Sequence, residues 1–187
     1  MLRTIATKLA FYLTKWESSS EQIESCRYGL EILLYTILST SLLLLVGIIC
    51  SLFINTIILI IVYYLNQTFG GGYHAHSHFA CFLSMLGGLL VCLTSIVFFC
   101  SSTIFVFILT IVSFVYLFMN PLHLHNNKRY LHNKTTTMIR HSRTISSLSI
   151  IISIYLFLTK SEYATTVSIG IMASAISRYI GCRQEYL

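Results

Sequence analysis

Between Glu31 and Lys128 the chain has no Asp, Glu, Lys or Arg, an uncharged run of 96 residues (32 to 127) in a sequence of 187. A water-soluble fold exposes too much surface to leave half its length without charge. Composition agrees, with 56% of residues hydrophobic and 10% charged, against about 25% charged in soluble domains. An integral membrane protein is expected. In lipid every backbone polar group must be satisfied internally, so only helices and closed β-barrels span. Barrel strands alternate apolar and polar residues, whereas these runs are apolar on all sides. The sequence therefore predicts an all-α, polytopic membrane protein.

Six hydrophobic segments follow from the pattern, at 28–50, 51–66, 82–100, 102–119, 144–159 and 163–180. Punctuation between them is light: Ser51 and Asn55, the 66–78 stretch, Ser101 and Ser102, Asn120-Pro121, and residues 160–162. A perpendicular span needs about 20 residues, so 51–66 and 144–159 are short, and one of them is expected to be re-entrant or broken. Ahead of the segments, Leu2, Ile5, Ala6, Leu9, Leu13 and Trp16 share one helical face, with Lys8 and Lys15 off it. That pattern suits an amphipathic helix at the membrane interface, or one packed on the rest of the protein. Ser18 with Glu21 forms a capping-box pattern and predicts a second helix from about residue 19. The whole chain, 1–187, reads as a single membrane domain. It comprises an interfacial region (1–27), four segments (28–119) enclosing the stretch 66–81, a basic loop (120–143), and two last segments with a short tail (144–187).

The formal charge of +6 does not point to nucleic acid, because the basic residues sit between apolar segments, where they act as orientation signals. With both termini cytoplasmic, Arg3, Lys8, Lys15, Arg27, Lys128, Arg129, Lys134, Arg140, Arg143, Arg178 and Arg183 fall inside and Lys160 alone outside. This topology puts 66–78 and 120–143 at the cytoplasmic face of the bilayer. The six cysteines are scattered, most of them in apolar runs, which argues against a disulfide framework.

The polar island in the uncharged half reads Gly70-Gly71-Gly72-Tyr73-His74-Ala75-His76-Ser77-His78-Phe79-Ala80-Cys81. Ionisable groups within a membrane segment mark a functional hypothesis, and two chemistries fit. One is a Cys/His pair, in which an imidazole takes the thiol proton to give a nucleophilic thiolate. His74 lies seven residues before Cys81, about 10.5 Å of helical rise, so the two meet only if the glycine segment folds back. On a continuous helix His78 is the nearer partner. The other chemistry is a metal-binding or small-transporter site formed by His74, His76, His78 and Cys81, although no carboxylate lies nearby to orient the imidazoles. The plain alternative is a set of interfacial polar residues beside a turn.

Gly71-Gly72-Tyr73-His74-Ala75 with Cys81 seven residues after the histidine resembles the accessory gene regulator protein B family, membrane-embedded cysteine endopeptidases of Gram-positive quorum sensing. The resemblance extends to the amphipathic start, Tyr28-Gly29-Leu30, the six segments and the basic loop after the fourth. It implies a bacterial plasma-membrane protein, homodimeric, working without metal or cofactor. It makes His74 the general base and Cys81 the nucleophile, with Gly71 and Gly72 at the substrate. The implied substrate is a pheromone precursor with an acidic C-terminal tail, cut through an acyl-enzyme thioester and closed to a thiolactone or lactone. The family's Arg before the glycines is absent; Asn66, Gln67, Thr68 and Phe69 stand there. Asn66, Gln67, Ser77 or Ser84 is then available to orient His74, as are Glu24 and Glu31, and backbone N–H groups near Gly71, Gly72 or Cys81 to serve an oxyanion. The basic loop offers Lys128 and Arg129 as first contacts for the acidic tail, although orientation alone accounts for its charge.

Overall fold

The computed structural model describes residues 2–13, 20–73, 78–99, 103–121 and 132–184. Among them are seven helices and no strand: α1 (Leu2–Leu13), α2 (Ser20–Ile49), α3 (Phe53–Gly70), α4 (His78–Phe98), α5 (Thr103–Met119), α6 (His132–Leu158) and α7 (Ala164–Gln184). Helices α2 to α7 occupy the six hydrophobic segments. Four stretches are long and apolar enough to cross a membrane, Gln22–Ile49, Phe53–Gly70, Ala80–Phe98 and Thr135–Leu158, and Ile104–Met119 is a shorter apolar helix. The segments that looked short from sequence are longer here. Helix α3 runs 18 residues, and α6 runs 27.

The chain forms two compact units, Met1–Ile49 and Cys50–Leu187. In the first, α1 packs on α2. The buried residues of α1 are Ala6 and Ala10, while Ile5, Leu9 and Leu13 of the apolar stripe are exposed. Small side chains let the backbones approach closely, and the large ones are left for the surroundings. On α2 the buried stripe is Ser39, Leu43 and Gly47, at four-residue spacing. Near its start Arg27 pairs with Glu24 at 3.3 Å and Glu31 at 3.5 Å.

In the second unit α7 is central, packed against α3, α4, α5 and α6. Leu117, Val167, Ile171 and Ala175 form its buried apolar cluster. The connection from α6 to α7 is a tight reversal: Ser161 N–H donates to Leu156 O at 2.9 Å and Lys160 N–H to Phe157 O at 3.1 Å. This is the double bond pattern that closes a helix through a left-handed residue, and Lys160 takes that conformation at φ 52°. Pro121 follows α5 and removes the N–H that would have continued it. After it the sequence has neither proline nor glycine until Gly170, and α6 starts at His132, so residues 132–143 of the expected loop are helical.

Candidate active site at the glycine turn

Helix α3 stops where its sequence turns to glycine. Gly71 N–H donates to Gln67 O at 2.8 Å, and Gly71 sits at φ 70°, ψ 179°. That backbone region is open essentially to glycine alone, so Gly71 has a conformational reason to be what it is. The chain then runs through Gly72 and Tyr73 along α7. A Cβ on Gly181 would meet the Gly72 carbonyl carbon at 2.9 Å and the Tyr73 nitrogen at 3.1 Å, so backbone lies directly on backbone there. Ser177, one turn earlier on α7, accepts from Tyr73 N–H at 3.3 Å and from the Tyr63 hydroxyl at 3.2 Å. The glycine turn is thus fixed by both α3 and α7.

Cys81 lies in the first turn of α4, half-buried and with a free thiol. The Ser84 hydroxyl donates to Cys81 O at 2.8 Å, an ordinary local bond that occupies it within α4. His74 and His76, with Ser77, Lys128 and Arg129, lie outside the described residues; His78 opens α4. Among the described residues no three metal-ligating side chains converge.

Below the turn is a charge that sequence reasoning misplaced. Arg178, counted above as an orientation signal, is 1% exposed. Its guanidinium donates to Asn66 O at 3.0 Å, Leu117 O at 3.3 Å and Asn120 O at 2.9 Å. The reason lies at Pro121. Leu117 O would normally accept from the N–H four residues on, which proline lacks, and Arg178 takes its place. One side chain therefore joins the carbonyl ends of α3 and α5, where helix dipoles favour a cation. A Cβ on Gly70 would collide with this guanidinium.

The neutral partners named for the histidine separate clearly. Asn66 is committed: its amide donates to Val62 O at 2.9 Å and Ser149 Oγ at 3.3 Å, and its Oδ1 accepts from Ser146 Oγ at 3.1 Å. Ser84 is occupied within its helix. Gln67 is different. Its Oε1 and Nε2 are both shielded from solvent and have no hydrogen-bond partner among the described residues, and a Cβ on Gly72 would collide with that amide. Burying an unmade amide bond costs about 1–3 kcal/mol.

At the same end of the unit, an open groove of about 570 Å³ runs between the C-terminal part of α5 and the first turns of α6. Arg140 and Arg143 line it with Phe118, Thr144 and Ser147, and the Arg143 guanidinium lies 5.3 Å from the Phe118 ring centre. His141 contacts Phe69, just before the glycines, at 5.6 Å between ring centres.

Fold and candidate site together define a helical membrane protein with a cysteine at the head of one apolar helix and a glycine turn, held by its neighbours, at the end of the helix before it. The family model for accessory gene regulator B (AgrB) matches residues 6–178, nearly the whole chain, and the protein belongs to that family. Membership fits a membrane protein of autoinducing-peptide processing. No curated protein and no solved structure matches the chain.

Proposed function

We propose that the protein is a membrane cysteine endopeptidase that removes the acidic C-terminal tail of a quorum-sensing precursor peptide at the cytoplasmic face. The observation that carries this reading is the family match across the Gly-Gly-Tyr-His motif together with Cys81, a free thiol in the first turn of α4 and seven residues after His74 in the sequence. His74 takes the Cys81 proton, and the thiolate attacks the carbonyl carbon at the end of the pheromone segment. As the C–N bond breaks, His74 returns the proton to the departing amine. The acyl group stays on Cys81 as a thioester. A thiol or hydroxyl within the substrate then attacks it, closing the ring and freeing Cys81. Exclusion of water at the membrane boundary favours ring closure over hydrolysis. Gly71 and Gly72 let the substrate main chain approach closely, and Lys128 and Arg129, with Arg140 and Arg143 of the groove, attract the acidic tail. The working form is a homodimer in this reading.

The test is mass spectrometry of a tagged precursor incubated with proteoliposomes of the wild-type protein or of Cys81→Ser. Tail release and a thioester adduct or a dehydrated cyclic product with wild type alone are the expected result. An intact precursor with both folded proteins overturns the reading. The rival, a small transporter or metal-binding membrane protein using His74, His76, His78 and Cys81, predicts instead that His74, His76 and His78 contribute alike and that chelators inhibit.

A further inference from the structure

Past Gly71 the chain has left α3, and an N–H that leaves a helix inside a protein must find its acceptor elsewhere. Tyr73 N–H finds Ser177 Oγ, 104 residues on and 3.3 Å away. That oxygen is itself steadied, because the Tyr63 hydroxyl of α3 donates to it at 3.2 Å. One turn further along α7, Gly181 bears no side chain. The Gly72 carbonyl carbon lies 2.9 Å from where a Cβ would stand. The segment is therefore tied to α7 by a hydrogen bond and stopped against it by backbone packing. Tyr73 is followed directly by His74.

We propose that Ser177 is a positioning residue for His74: by holding Tyr73 N–H it sets where the chain enters the base. The peptide unit is planar, so only the φ and ψ of Tyr73 lie between the held nitrogen and the peptide plane that carries His74. A general base acts only within hydrogen-bond reach of the proton it takes. A misplacement of about 1 Å costs on the order of 100-fold in rate. The role needs no contact between Ser177 and the reacting atoms. What it requires at residue 177 is an acceptor oxygen, not a particular volume.

The inference rests on the peptidase reading above, and the experiment separates the two. Ser177→Thr and Ser177→Val share a shape and differ in the hydroxyl. Both are assayed in proteoliposomes with the same tagged precursor, alongside Cys81→Ser and His74→Ala. Two quantities are read: kcat and KM for tail release, and the rate at which iodoacetamide alkylates Cys81 at neutral pH, followed at that residue by mass spectrometry. The expected result is a kcat about 10- to 100-fold lower in Ser177→Val than in Ser177→Thr, with KM unchanged. Alkylation in Ser177→Val slows toward the rate of His74→Ala, while Ser177→Thr stays near wild type. A residue that serves stability alone moves neither the split between kcat and KM nor the alkylation rate of the folded protein. Equal kcat in Ser177→Val and Ser177→Thr overturns the proposal. So does a loss confined to KM, or wild-type alkylation in Ser177→Val. Ser177→Ala, which suits a helix interior better, is judged by the same readouts if Ser177→Val does not fold. Retained cleavage by Cys81→Ser or His74→Ala overturns the peptidase reading itself.

Discussion

Helices α4 and α7 are both 21 residues long and belong to the same compact unit, yet they distribute polarity in opposite ways. Helix α4 turns Leu83, Leu90, Val91, Val97 and Phe98 outward and buries Leu89, Leu93 and Ile96. Helix α7 buries Thr165, Thr166, Ser168, Ser174 and Arg178 and exposes Ile176, Tyr179 and Ile180. It also buries Val167, Ile169, Ile171 and Ala175, but water would not favour so many polar groups inside beside exposed Ile176 and Ile180. In lipid, apolar side chains have no reason to leave the surface, and polar groups gain by finding partners inside the protein. Ser153 and Ser168 show this at 3.0 Å, and Asn55 with Thr166 at 2.7 Å. High hydropathy thus marks the helices that border lipid, and one of the less apolar helices is the one that organises the rest.

The comparison breaks most easily at Arg178. Arg178→Met keeps the bulk but leaves the Leu117 and Asn120 carbonyls without a donor, for an expected loss of about 3 kcal/mol or more. SDS-titrated unfolding measures it, and Arg178→Lys should recover part of the loss. Equal stability of Arg178→Met and wild type would remove the argument that α7 ties α3 to α5. A smaller effect is expected from Gly181→Val, whose side chain drives into the Gly72–Tyr73 backbone. About 1–3 kcal/mol of destabilisation is predicted from overpacking, with tail release falling further than stability because the turn that leads into His74 is displaced. The least effect belongs to α4. Val91→Leu, at a position 64% exposed, should shift stability by less than about 0.5 kcal/mol and leave cleavage unchanged. A marked loss there would mean that this face of α4 is covered by another chain.

Much of the helical layout was legible because its causes are local. Pro121 ends α5, Gly71 ends α3, and the punctuation at 160–162 becomes the reversal between α6 and α7. The amphipathic first helix was also visible, although the face it buries is the Ala6 and Ala10 edge and not the large apolar residues. The extent of α6 was underestimated because charge was taken for loop, although no proline or glycine stands between Pro121 and Gly170. Of the site, Cys81 and the glycines stood out by type and spacing. The roles of Ser177, Arg178 and Gly181 left no local mark, and Arg178 passed for one more cytoplasmic charge.

What the sequence determined by itself is the solvent and the secondary structure. A run of 96 uncharged residues calls for lipid, and lipid obliges the backbone to satisfy itself within each helix. Which polar groups meet was decided by the tertiary structure. Arg178 reaches carbonyls 112, 61 and 58 residues away along the chain, and Asn66 reaches serines 80 and 83 residues away. Pairings over such separations depend on how helices pack, and no local pattern encodes them. The same packing buries the Gln67 amide without a hydrogen-bond partner among the described residues, which no local pattern announces.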